Sequence, residues 1–130
     1  MDSQRVLADT SLFIEHLRAK DKTATLLYRL TNQKQVETCA IVAAEIYYGA
    51  RKKEAEDAAT ALLQPFIVHP FTLSMAARQS AILIPSIKLN RTIDLRDLMI
   101  GVTAIELEMP IATLNRAHFD GIPGLEVFAM

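Results

Sequence analysis

The chain has 130 residues, 51% of them hydrophobic and 22% charged, the composition of one folded domain rather than of a disordered segment or two complete domains. Fourteen Lys and Arg residues against 15 Asp and Glu leave a net charge of -1, so no overall basic field points to nucleic acid, and any such partner must be met by a local patch. Cys39 is the single cysteine, which excludes a scaffold stapled by internal disulfides and fits a reducing compartment.

Met1 to Arg5 hold no basic stretch leading into a long apolar run, so no export leader is expected. The longest stretch free of Asp, Glu, Lys and Arg, Ala58 to Ala77, is interrupted by Gln64, Pro65, His69 and Pro70 and makes a poor membrane span. A soluble cytoplasmic protein with one domain over residues 1–130 is the expectation.

Val6-Leu7-Ala8, then Asp9-Thr10-Ser11, then Leu12, Phe13, Ile14 and Leu17 at helical spacing read as strand, polar turn and helix. Thr23 is placed to cap a second helix carrying Leu26, Leu27 and Leu30, and Gln35 to Thr38 read as a short strand. Ile41 to about Lys53 reads as a helix apolar nearly all round, hence buried on most faces, with Glu45 in its middle. A polar helix to about Gln64, a strand Phe66-Ile67-Val68 and a helix from Thr72 to about Leu89 follow. The clearest helix runs from Asp94 to Glu108: Asp94 is its N-cap, Asp97 falls at its third position, and Pro110 stops it. Ile111-Ala112-Thr113 and Leu125 to Phe128 read as the last strands. This alternation argues for an α/β fold whose central sheet is mainly parallel and covered on both faces.

In such sheets ligands bind beyond the carboxyl ends of the strands, which is where Asp9 stands. Asp97, in the first turn of its helix, faces the same edge if that helix packs beside the first strand. Glu45 needs a partner, because an ionised carboxylate in an apolar helix is costly. Converging carboxylates repel unless a cation neutralises them, and all-oxygen ligands suit Mg²⁺ or Mn²⁺, ions that favour phosphate-ester chemistry. Each acid also has an ordinary structural reading: Asp9 as a helix cap, Asp97 as a complement to the helix dipole, Glu45 reaching solvent or pairing with Arg51 or Lys52.

Thr113 to Phe119 leaves the penultimate strand with Asn115, suited to orient water or a carboxylate, and His118, suited to an auxiliary base or outer ligand. His16 and His69 have no partner motif, and Cys39 has no activating base. Candidates for contact with a nucleic-acid backbone are Arg51, Lys52, Lys53, Lys88, Arg91, Arg96 and Arg116, and one ring of the Tyr47-Tyr48 pair could stack on a base.

Four blocks in order resemble the PIN (PilT N-terminal) domain nucleases, and within them the VapC-like toxins. They are Val6-Leu7-Ala8-Asp9-Thr10-Ser11, Ala44-Glu45-Ile46-Tyr47-Tyr48-Gly49-Ala50-Arg51, Asp97-Leu98-Met99-Ile100-Gly101-Val102-Thr103-Ala104, and Ala112 to Phe119 followed by Ile122 to Val127. The resemblance implies a three-layer α/β/α PIN-like domain and an endoribonuclease that depends on Mg²⁺ or Mn²⁺. Asp9 and Asp97 would hold the metal, Glu45 would bind a second ion or orient the attacking water, and Asn115 would support the shell. It also implies an RNA substrate, a cognate antitoxin that occludes the cleft, and a homodimer. This sequence departs from the family where His118 stands for a frequent acid, Cys39 for a frequent Ser and Gly101 for a usual Ala; Asp120 is acidic but two places late. A phosphoaspartyl enzyme fits poorly, since Ser11 stands where a second Asp is required; a PIN-like module that binds RNA or protein without cleavage remains the alternative.

Overall fold

The computed structural model describes residues 4–129. The expectation about a leader drawn from Met1, Asp2 and Ser3 lies outside them. Strands β1 (Arg5–Ala8), β2 (Gln35–Cys39), β3 (Val68–His69) and β4 (Ile111–Ala112) form one sheet in the order β3-β2-β1-β4, every pair parallel. Helices α1 (Thr10–Arg18) and α2 (Leu26–Thr31) connect β1 to β2, α3 (Ala40–Gly49) and α4 (Lys53–Leu63) connect β2 to β3, and α5 (Leu73–Lys88) and α6 (Leu95–Glu106) lead to β4. The chain steps outward from β1 to β3 and then returns to the far side of β1. With the right-handed crossovers that parallel strands adopt, this order lays the first four helices over one face and α5 and α6 over the other, the expected three-layer arrangement, in which α1 packs on α2 and α3 and α5 packs on α6.

Strand β1 is buried because it has a neighbour on each side, Leu7 pairing in register with both Glu37 and Ile111. Val6, Leu7 and Ala8 are wholly inaccessible and join Phe13, Leu98, Ile100 and Ile111 in one core. Phe13 of α1 meets Phe66 edge-on, with ring centroids 5.4 Å apart.

Several boundaries differ from the sequence reading. Helix α2 is capped by Thr25, whose hydroxyl accepts from the Tyr28 amide, and not by Thr23, which sits in a 3-10 turn capped by Asp21. The stretch read as one helix to Lys53 ends at Gly49, and α4 begins at Lys53. Nor is α3 buried all round: Val42 and Ile46 are buried, whereas Tyr48 is 74% exposed. The third strand is Val68–His69 rather than Phe66 to Val68, and the last is reduced to one bridge between Ile111 and Val127. Helix α6 stops before Pro110 because Glu108 turns left-handed at φ 56°, its amide donating to Ile105 O and that of Met109 to Ala104 O, a Schellman closure. A Cβ on Gly101 would lie 3.0 Å from Ile122 Cδ1 and 3.2 Å from Leu125 Cδ2, so the glycine that replaces the family's Ala allows the C-terminal segment to close on α6.

A feature the sequence did not reveal is Glu37, 1% exposed at the centre of the sheet. Arg5 donates to both its oxygens (2.6 and 2.9 Å), Gln35 Nε2 donates at 3.1 Å, and His69 Nε2 lies 2.6 Å away, so one carboxylate ties β1, β2 and β3 together. His69 thus has a partner that sequence proximity could not disclose.

Arg5 holds the Glu37 carboxyl below its usual range; desolvation opposes this and His69 reinforces it. A native pKa below the unfolded one means that stability is present above about pH 4.3, the unfolded value, and is lost as pH falls through the native one. Glu37→Gln is therefore expected to lower neutral-pH stability by about 1–3 kcal/mol and to flatten the acid side of the stability curve, measured by urea denaturation from neutral to acid pH. An acid limb as steep as the parent's would remove Glu37 from that role.

Candidate active site

The reversal of strand order falls between β1 and β4, the place where an open parallel sheet leaves a crevice between diverging loops. Asp9 follows β1 at that edge, and Thr113, Leu114 and Asn115 follow β4. Asp9 takes an extended backbone and caps α1, its Oδ1 accepting from the Ser11 amide (3.0 Å) and hydroxyl (2.5 Å). Its Oδ2 accepts from Thr113 Oγ1 at 2.5 Å; Thr113 Oγ1 accepts from the Asn115 amide, and Ser11 Oγ from the Leu114 amide. The cap reading of Asp9 and the functional one thus coexist in a single residue.

Helix α3 brings Glu45 to the same edge, where Thr10 Oγ1 donates to Oε1 at 2.8 Å and Arg96 Nη1 lies 3.6 Å from Oε2. Helix α6 brings Asp97. Asp94 caps that helix by accepting from the Arg96 and Asp97 amides, so Asp97 sits in the first turn, with His118 Nδ1 3.6 Å from Oδ2. All four sequence candidates, Asp9, Glu45, Asp97 and Asn115, line one cleft of about 500 Å³, together with His118.

The cleft is electrostatically unbalanced. Glu15 and Asp94 add to the three candidate acids on its walls, against Arg18, Arg96 and His118. Burial pushes the Asp9 carboxyl up, opposed by its bonds from Ser11 and Thr113. Asp97 is also pushed up, first by burial and then by Asp94, with Glu45 and Asp9 adding and His118 opposing. Among the described residues no group of three His, Cys, Asp or Glu side chains stands close enough to hold an ion; Glu45 is engaged by Thr10 and Arg96, and Asp97 faces His118.

Of the cations nominated from sequence, Arg96 lines the cleft, while Arg51 stacks on Tyr48, Lys53 pairs with Asp57 and Arg116 pairs with Asp120 on the surface. Asp120 accordingly stays outside the site. Arg18, Thr10 and Thr113 were missed; their signal was spacing from Asp9 along α1 and adjacency to Asn115, neither of which discloses side-chain direction. Cys39 precedes α3 without a side-chain cap, and burial pushes its thiol up, away from reactivity. His16 is likewise structural, bonded to Thr25 Oγ1 at 2.8 Å.

A family model described as PIN domain matches residues 6–125. Ribonuclease VapC19 of Mycobacterium tuberculosis is 30% identical over 122 residues, which cover 92% of this chain and 96% of that protein. Ribonuclease VapC of Rickettsia bellii is 30% identical over 132 residues, with 96% of each chain covered. Among solved structures, VapBC2 from Rickettsia felis bound to a promoter DNA fragment matches with a TM-score of 0.80 at 20% identity, over 95% of this chain and 97% of that one.

Thr113→Val is the sharpest probe of the junction, since it keeps shape while removing a buried hydroxyl that serves both Asp9 and Asn115. The expected loss is about 1–3 kcal/mol in thermal or urea denaturation, with Thr113→Ser close to the parent. Equal stability of the Val variant would show that Asp9 does not depend on this bond.

Proposed function

Because the chain belongs to the PIN domain family, we propose that its acidic cleft hydrolyses RNA phosphodiesters and that the protein is the toxin of a toxin–antitoxin pair. The observation that carries this reading is the meeting of Asp9, Glu45, Asp97 and Asn115, from four separate stretches of chain, at the switch point of the sheet. The ribonuclease names of both relatives and the VapBC assembly of the structural neighbour support it.

The donor chemistry suits a divalent ion. The acids offer oxygen only, Asp9 is pushed up by burial and Asp97 by burial and its acidic neighbours, and the cleft carries more acids than bases. Asp9 and Asp97 are the residues assigned to hold Mg²⁺ or Mn²⁺, with Glu45 as a further ligand or as the group that orients water. When bound, such an ion supplies positive charge for the phosphate and a lowered pKa for water. The chain's own contribution is positioning. Ser11 and Thr113 fix both oxygens of Asp9, Asp94 fixes the turn that presents Asp97, and Thr10 holds Glu45. Asn115 lines the same wall, placed to orient water or a carboxylate.

The proposal extends to the partners. An antitoxin covers the acidic cleft with a cationic group, a homodimer is the assembly, and the cytoplasm is the compartment. Among the described residues no helix is long and apolar enough to cross a membrane.

The test incubates purified protein, freed of any co-purifying partner, with total cellular RNA and Mg²⁺ or Mn²⁺, beside EDTA and Asp9→Asn controls. Discrete cleavage only with metal and the native acid is expected; none from a folded, metal-loaded sample would favour a binding module. By calorimetry Asp97→Asn is expected to lose Mn²⁺ affinity while keeping its fold, and unchanged binding would remove Asp97 from the metal site. His118→Ala is expected to cost less activity than Glu45→Gln; the opposite ranking would move the main role to His118.

A further inference from the structure

Beside the acidic cleft lies a second groove of about 480 Å³ between α3 and α6, within the range of about 300–1,000 Å³ usual for small-molecule sites. Its walls are largely apolar, with Ala44, Tyr48 and Met99 among them, and it shares Thr10, Glu45 and Arg96 with the acidic cleft. The Glu45–Arg96 pair is therefore a partition between the two. A guanidinium at the partition and an apolar chamber beside it match the alternation of phosphate and base along a nucleic-acid strand.

The two tyrosines of α3 divide their work. Tyr47 is tied to α4 through a hydroxyl contact of 2.7 Å with Thr60. Tyr48 is 74% exposed, lines the groove, and has no core to fill. Arg51, which is not part of the groove, sits over the ring with its guanidinium carbon 4.8 Å from the centroid and donates to Tyr48 O at 3.2 Å, bracing the aromatic from outside. A braced, exposed aromatic next to a cation is the arrangement on which single-stranded bases stack, since every base offers a π-face and the adjoining phosphate meets the positive charge.

We infer that this groove is a substrate subsite that takes the nucleobase flanking the scissile phosphate, with Tyr48 as its stacking platform and Arg96 as the contact for the intervening phosphate. This rests on the ribonuclease reading and deepens it by requiring an unpaired base at that position. The exposed Tyr48 ring beside the Arg96 guanidinium favours a substrate strand over a protein as occupant. Arg96 is also the one nominated cation that borders both chambers.

The experiment uses the full chain and oligo(U) carrying a single 2-aminopurine, whose fluorescence falls when the base stacks on an aromatic ring. In EDTA, binding to the parent and to Tyr48→Phe is expected to quench the probe, whereas Tyr48→Leu leaves it bright and binds about 5- to 100-fold more weakly. In the cleavage assay with metal, Tyr48→Leu is expected to raise KM with kcat little changed, and Arg96→Gln to raise KM as well. Tyr48 projects from the surface, so circular dichroism of the Leu variant is expected to match the parent.

Equal quenching and equal KM in the Leu variant, with cleavage intact, would overturn the subsite and leave the ribonuclease reading standing. A Leu variant with unchanged RNA binding but an altered mass by light scattering would assign the groove to a protein interface and overturn the subsite too. If the parent neither binds nor cuts RNA, both readings fall together.

Discussion

The site depends on one buried carboxylate. Asp9 is 4% exposed at the end of the central strand β1, in a place where an unbonded charge would be strongly disfavoured. It is tolerated because Ser11 donates twice to one oxygen and Thr113 once to the other, so that the residue starting the first helix also fastens the loop after the last regular strand. The separation in sequence is 104 residues, and closing it brings Asn115 into the site. The cleft is a consequence of satisfying Asp9.

Two further constraints bring the other acids to that edge. Parallel pairing with a reversal of strand order leaves α3 and α6 beginning at the carboxyl side of the sheet, and the Asp94 cap fixes the first turn of α6. Gly101 then allows α6 to meet Ile122 and Leu125 closely, which brings the C-terminal segment beside the site. The departures from the family pattern become intelligible in these terms. His118 replaces an acid but stays at the site facing Asp97, and Cys39 replaces a capping Ser at a helix start where no side-chain bond is made.

Charge is partitioned across the molecule. The Arg5–Glu37–His69 group neutralises a carboxylate inside the sheet and clamps three strands, whereas the cleft leaves its carboxylates in excess. The first arrangement satisfies its own charge and stabilises the fold; the second leaves its acids outnumbering the bases on its walls, the feature on which the proposed metal site rests. Arg96 stands at the boundary, paired with Glu45 yet exposed enough to meet a phosphate.

The sequence by itself determined the order of the helices and of the four sheet strands and the parallel sheet, and it nominated the acids Asp9, Glu45 and Asp97 that line one cleft, because hydrophobic periodicity and capping residues are local signals and the four motif blocks are contiguous. It misplaced the cap of α2 and ran α3 on to about Lys53, past its end at Gly49, since Thr23 and Thr25 offer the same hydroxyl and the break at Gly49–Ala50 carries no proline. Only the tertiary structure decided that Glu37, an unremarkable acid in a strand, is buried between Arg5 and His69, that Thr113 holds Asp9, and which tyrosine of the pair is the more exposed. These facts depend on which strands become neighbours and on which face of a helix meets the core, and neither is written in the spacing of residues along one segment.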